Sequence, residues 1–231
     1  MLAKVLTCAV VGLDGALVEV EADIGMGLPA LTVVGLPDAA VQESRERVRV
    51  ATKNSGCVFP LRRVTVNLAP ADLKKEGPAY DLPIALAIVM ASQQVPNGDA
   101  TALYLGEFSL DGDDGDVRHT DGILPMVSVA RDKGVTTVFV PAVDALEASL
   151  VEGMAVIPVK NFASVINHLR GDRPIAPYVP DHSILTFEPT FSSDFSLVKG
   201  QEHAKRALAV AASGGHNVLT FGPEHPIALF F

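Results

Sequence analysis

Cysteine, positive charge and long apolar runs are all scarce in this sequence. Only Cys8 and Cys57 occur, too few for the disulfide framework of a small secreted fold, and they are expected as reduced packing residues. No apolar run reaches the roughly 18 to 20 residues that cross a bilayer. The opening segment MLAKVLTCAVVGLDGALVEVEAD turns acidic too early for a secretory signal peptide. A soluble, cytoplasmic protein without a membrane partner is the expectation. Eighteen Lys and Arg stand against 27 Asp and Glu, a net charge of -9, so the average field repels nucleic acid and anionic surfaces. His119, His168, His182, His203, His216 and His225 are scattered without paired ligand spacing, and no metal site is expected.

What is present is apolar material: 48% of 231 residues, enough for one large domain and a fragment of another. The charge is also unevenly spread. Residues 41–75 carry eight cations against Glu43, Glu46 and Asp72, whereas residues 76–155 carry thirteen acids against Arg118, Arg131 and Lys133. Arg45, Arg49, Arg62, Arg63, Lys74 and Lys75 are therefore candidates for contact with a nucleic-acid backbone. The competing account is a solvated, mixed-charge helix face over Glu43 to Lys53. Aromatic interleaving to stack successive bases is missing, with Phe59 alone inside the stretch.

Residues 4–35 read as three strands broken at Asp14-Gly15 and Gly25-Met26-Gly27, an expected antiparallel meander. Pro37-Asp38 opens a helix with Asp38 as N-cap, Val41, Val48 and Ala51 facing inward, and Ser55-Gly56 as the stop. RRVTVNLA alternates as a strand does. Asp81 is expected to cap a second helix whose LPIALAIVMAS is apolar all round, hence deeply buried, with Pro83 harmless in the first turn. LYLGEFSL reads as one strand, and Asp111 to Asp116 as a hairpin tip, since the ligand register and closing glutamate of a calcium loop are missing. A helix from about Gly122 to Lys133, the strand VTTVFVP, the helix VDALEASL, the strand MAVIPV and the helix NFASVINHL follow. The result is an α+β domain over residues 1–170, its sheet covered by helices. Residues 171–193, with four prolines, read as a linker. Residues 194–231 supply one helix, Gln201 to Ala212, and one strand, Asn217 to Phe221, too little for a core of their own.

Four segments, VVGLPDAAVQESRERV, VNLAPADLKKEGPAYDLPIALA, LGEFSLDG and GILP, resemble the N-terminal domain of the ComM/YifB family of magnesium-chelatase ChlI-like AAA+ proteins. That resemblance implies a Lon-protease-like fold of the ribosomal protein S5 domain 2 kind. In active Lon-type proteases a serine follows a Gly-Pro pair before the buried helix, and a lysine early in a later helix takes its proton. Matching Lys75-Glu76-Gly77-Pro78 to that pattern puts Ala79 at the nucleophile, and matching Gly115-Asp116-Val117 puts Leu124 at the base. Both groups are needed, because a hydroxyl is a weak nucleophile without a desolvated amine beside it. Ser128 lies one turn beyond Leu124, but the nearest lysine, Lys133, is at the far end of that helix. Residues 198–208, VKGQEHAKRAL, and GGHNVL after them resemble the start of the AAA+ domain. In that family the strand feeds a Walker A loop whose backbone N–H groups cradle phosphate. Here Gly222-Pro223 leads into Glu224-His225-Pro226 without Gly-Lys-Ser/Thr. The chain reads as ending before the phosphate loop, so no cofactor is expected for it, against ATP and magnesium in the intact family.

The resemblance implies relatives that assemble as hexameric rings and process DNA, with branch migration during natural transformation as ComM's part. The chain is expected to supply a non-catalytic scaffold that contacts DNA. The alternatives are a stand-alone interaction or regulatory module acting on an intact relative's rings, and an active Lon-type serine peptidase, which only the fold supports.

Overall fold

A computed structural model of the chain describes residues 2–11, 14–96, 98–99, 101–110, 114–180, 194–220 and 227–229. The acidic tip at 111–113, the linker from 181 to 193 and the segment 221–226 with Gly222 and Pro223 lie outside the described residues.

Alternating apolar residues build the first unit. Strands β1 (Ala3–Val11), β2 (Asp14–Gly25), β3 (Ala30–Val34), β4 (Arg63–Ala69) and β5 (Ala102–Tyr104) join a sheet. The ribbon β6 (Glu107–Phe108) and β7 (Val117–Arg118) stands apart, and β8 (Thr137–Pro141) and β9 (Ala155–Val159) complete the sheet in the order β3-β4-β2-β1-β5-β8-β9. β2 is antiparallel to both β1 and β4, and every other neighbouring pair is parallel. Six strands thus run one way and β2 alone opposes them, a mixed α/β unit with a mostly parallel sheet. The expected meander is corrected here. β4 inserts between β2 and β3, pairing Ala30–Val34 in parallel with Arg63–Asn67. Alternation alone cannot distinguish that order from a hairpin order.

Because side chains alternate across a strand, the sheet has two different faces. Val18, Val20, Ala22, Val64, Val66 and Leu68 pack with helices α1 (Ala39–Asn54), α2 (Asp81–Ala91) and, later in the chain, α5 (Phe162–Arg170). Cys8, Leu103, Leu105, Val138 and Val140 pack instead with α3 (Ile123–Asp132) and α4 (Ala145–Ser149). All eleven residues of α2 are buried, as its unbroken apolar sequence demands. Removing Leu82, Ile84, Leu86 and Ile88 from water contributes about 2 kcal/mol apiece. Both cysteines are buried and free, and burial pushes the Cys8 thiol up to about 11.

LYLGEFSL breaks into β5 and β6 at Gly106, whose φ of 159° comes with a Val117 methyl so close that an added Cβ would sit 2.7 Å from it. The first unit also runs to Pro180, ten residues past the expected boundary at 170. The Tyr178 N–H donates to the Val156 carbonyl at 2.7 Å and the Ile175 N–H to His168 Nδ1 at 2.8 Å. The prolines of 171–180 therefore shape a docked segment rather than a free linker. A second compact unit, Asp181–Phe231, holds α6 (Glu202–Ser213) and the antiparallel pair β10 (Val218–Thr220) and β11 (Ile227–Leu229).

Candidate functional site

α2 and α3 both begin beyond the C-terminal ends of the parallel strands, the edge where open α/β sheets gather their reactive groups. The entrance to α2 is lashed in place from three sides. Asp38 caps α1, its Oδ1 accepting from the Val41 N–H at 2.8 Å while its Oδ2 accepts from the Gly77 N–H at 3.1 Å. The Asp38 N–H donates to the Lys75 carbonyl at 3.0 Å, and the Lys75 N–H to the Leu36 carbonyl at 3.2 Å. The Gly106 N–H donates to the Ala79 carbonyl at 3.1 Å, and the Leu82 N–H to the Gly106 carbonyl at 3.0 Å. The segments carrying GLPD and KKEGPAYD are thus one hydrogen-bonded unit.

Asp81 does not cap α2. It is the helix's first residue, wholly buried, and Arg47 Nε and Nη2 hold its two oxygens at 2.6 and 3.2 Å while the Phe108 N–H adds a third bond at 3.0 Å. Burial drives the Asp81 carboxyl up to about 6 against the pull of the guanidinium. This pair was legible in principle: a carboxylate leading a helix that is apolar all round has to be buried, and a buried carboxylate needs a cation.

Ala79 is buried and ends in a methyl group. Leu124 stands in the first turn of α3, partly exposed, and its N–H donates to Glu147 Oε1 at 2.9 Å. Neither side chain can give or take a proton. The lysine that is buried nearby, Lys75, has its ammonium on the Pro70 carbonyl, and burial lowers its pKa. A lysine so held reinforces the turn. Its place among the phosphate-binding candidates is corrected, since a fully buried ammonium cannot reach a solvent-borne phosphate.

The remaining cations do not form one surface. Arg45 and Arg49 line an open groove of about 550 Å³ along α1, shared with Glu43, Glu46 and Leu110. Arg49 lies over the Phe59 ring at 5.3 Å, and its buried Nε has no partner among the described residues. Arg62 and Arg63 sit at the start of β4, whereas Lys74 follows its end and pairs with Glu76 at 2.5 Å. The two ends of a strand of that length lie about 20 Å apart.

A second polar cluster, without sequence signal because its members are 25 residues apart, sits beside Leu124. His119 Nδ1 is hydrogen-bonded to Asp144 Oδ1, Asp144 Oδ2 accepts from the Thr120 N–H at 2.9 Å, and His119 Nε2 lies 3.2 Å from Asp121. Asp144, then Asp121, raises the His119 pKa. Val117, Arg118, Val143, Leu146 and Glu147 complete an open concavity of about 740 Å³.

In the second unit, β10 leads toward 221–226, where a phosphate-cradling turn would lie. Among the described residues of this unit the lysines are Lys199 and Lys205, and Lys205 is bound to Glu202 at 3.1 Å. Neither follows β10. Among the described residues of this unit, the groups present do not fit a triphosphate with magnesium.

Comparison with known proteins places this arrangement. The family described as subunit ChlI of Mg-chelatase matches residues 20–144, and magnesium chelatase, subunit ChlI, matches residues 194–225. The chain is 38% identical over 228 residues to competence protein ComM of Haemophilus influenzae, covering 96% of this chain and 43% of that protein. It is 39% identical over 227 residues to the uncharacterised protein YifB of Salmonella typhimurium, again 96% of this chain and 43% of the relative. A weaker likeness, 28% over 171 residues, spans 68% of this chain and 21% of the Lon protease of Mycolicibacterium smegmatis. The chain thus spans about two fifths of the length of the curated ComM and YifB relatives it matches.

Proposed function

This chain belongs to the ComM/YifB family of magnesium-chelatase ChlI-like proteins, and from that premise we propose that its first unit is a catalytically empty, Lon-like framework within an ATP-dependent, ring-forming DNA-processing protein. The observation that carries the reading is the chemistry at the α2 and α3 entrances. A methyl group stands at the position matched to the Lon-type serine and an isobutyl group at the position matched to its lysine, while the one buried lysine nearby is consumed by the Pro70 carbonyl. The likeness to a Lon protease over 171 residues supports the fold. The match of the second magnesium-chelatase description to residues 194–225 supports reading the second unit as the start of an AAA+ domain. ATP and magnesium would be bound by other parts of such a protein.

In this reading the hydrogen-bonded GLPD and KKEGPAYD segments keep the architecture of a protease site and none of its proton chemistry. DNA contact falls to Arg45 and Arg49 on α1. Two measurements test it. Incubation with a serine-reactive phosphonate should leave the intact mass unchanged and casein uncut, and a single labelled serine would end the pseudo-protease reading. Fluorescence anisotropy with a labelled oligonucleotide should give an affinity that falls steeply with salt and drops about tenfold in Arg45→Glu/Arg49→Glu. Absent or salt-insensitive binding would remove DNA from the proposal.

A further inference from the structure

The first unit carries an apolar knob at one corner and an apolar hollow at the diagonally opposite corner. The knob is the β2–β3 loop. Met26 is 96% exposed and Leu28 87%, with Leu61 beside them at 82%, and Arg62 and Arg63 rim it at the start of β4. The loop is fixed rather than dangling: Gly25 and Ala30 flank Arg63 in register on either side, and an added Cβ on Gly27 would touch the Arg63 side chain at 3.6 Å. Large aliphatic side chains held this far into water mark a contact surface.

The hollow is the concavity beyond the end of β8. Val143, 71% exposed, and Leu146 give it apolar walls, with Leu124 reached through Glu147. Its exposed rim is acidic: Asp121 and Glu147. Its two cationic side chains are engaged internally, Arg118 by Ser109 Oγ at 2.7 Å and His119 by Asp144 and Asp121. The knob is therefore apolar with a basic rim, and the hollow is apolar with an acidic one.

Their placement excludes contact within one molecule. β4 and β8 point the same way and stand four strand spacings apart, and the knob is at the start of β4 while the hollow lies past the end of β8. Strand spacing and strand length put the two about 25 Å apart across the diagonal. We propose that the hollow receives the knob of a second copy of this chain, Met26 and Leu28 entering beside Val143 while Arg62 and Arg63 face Asp121 and Glu147. Unlike surfaces on opposite corners make a heterologous contact, which propagates head to tail and closes only as a ring. The inference deepens the ring-assembly part of the reading above by naming the joining surfaces, and it takes nothing from the loss of protease chemistry or from DNA.

Sedimentation velocity of the full chain from about 1 to about 200 µM tests it. The wild-type weight-average mass should rise with concentration, and less so at high salt, which screens the arginine and acid rims. Met26→Asp/Leu28→Asp and Val143→Lys should each stay monomeric with unchanged melting, since all three side chains project into water. Mixed one to one, the two variants still own one good knob and one good hollow between them, and should pair into dimers that grow no further. A wild-type chain monomeric throughout, variants that associate as well as wild type, or a mixture that fails to pair would each overturn the proposal. So would a knob variant that loses oligonucleotide affinity with no change in mass, because the knob would then serve nucleic acid. Phosphonate labelling and oligonucleotide salt dependence need no assembly, so their failure is separate from this one.

Discussion

Asp81 and Arg47 show how a side chain acquires a role that its local sequence does not announce. As the first residue of a helix, Asp81 reads as a cap, yet its oxygens are spent on a guanidinium from α1 and on the Phe108 N–H. Breaking a buried pair leaves an uncompensated charge, so Arg47→Met should cost about 3–5 kcal/mol in urea melts. Arg47→Met/Asp81→Leu should recover most of that loss, because the two effects are coupled through one contact. A pH dependence follows. The folded carboxyl titrates near 6, above the ordinary value of about 3.9. The native state therefore binds more protons between those values, and this group's contribution to stability falls as pH rises through that window. Without Arg47 the carboxyl resists ionisation further, so the Arg47→Met defect should be smaller at pH 5 than at pH 8. His119 has the opposite arrangement, a base raised by Asp144 and Asp121. Its charged form stabilises the fold fully below the unfolded value of about 6.5, and that contribution is lost as pH rises through the folded value. Its ring protons, followed by NMR, should titrate with a midpoint above 6.5, and Asp144→Asn should bring the midpoint down. Lys75 is the residue that charge counting misassigns: a cation in a basic stretch is as available to a carbonyl inside as to a phosphate outside.

Element boundaries are legible in the sequence where their punctuation is chemical and obscure where it is topological. Asp38 caps α1 through the Val41 N–H as its side chain dictates, Ser55 closes that helix, and α3 ends with Lys133 ahead of Gly134. The apolar girth of α2 gave its burial without ambiguity. The strand order was not legible, because whether β3 pairs with β2 or with β4 depends on a partner more than thirty residues later. One residue carries much of the resulting geometry. Gly35, at φ 100°, brings β3 so near β4 that an added Cβ would stand 2.2 Å from the Leu68 carbonyl oxygen. Next to it Leu36 takes a φ of 55° while its carbonyl accepts the Lys75 N–H. A backbone carbonyl inside a sheet cannot swing aside. Gly35→Ala should therefore destabilise by at least about 2 kcal/mol, from left-handed strain and overlap together, and the loss should appear as a lower urea midpoint with an unchanged slope.

At the scale of the whole molecule, the family segments mark where the chain is most heavily wired, and their physical work is architectural: GLPD, KKEGPAYD and LGE bind one another through backbone and carboxylate contacts. The edge therefore needs neither a serine nor a free lysine to keep its shape, since Asp38, Ala79, Leu82 and Gly106 hold it together with the Lys75 backbone. The same logic locates the end of the first unit. Composition puts a boundary at 170, where the prolines begin, because proline and irregular periodicity look alike in a linker and in a docked strap. Packing puts it at Pro180: Ile175 lies against the α1, α2 and α5 core and Tyr178 against the α3 and α4 core. Each also ties its backbone N–H to the body of the unit. A chain ending at Pro180 should thus unfold cooperatively at the denaturant midpoint that the full chain shows for its main transition. A chain ending at Arg170 forfeits two partly buried apolar side chains, the Gly171 cap of α5 and the hydrogen bonds donated by the N–H groups of Gly171, Asp172, Arg173, Ile175 and Tyr178, a loss of at least about 3 kcal/mol. Equal midpoints for the two shortened chains would return 171–180 to the linker, whereas a lower one for the shorter chain makes the strap part of the fold.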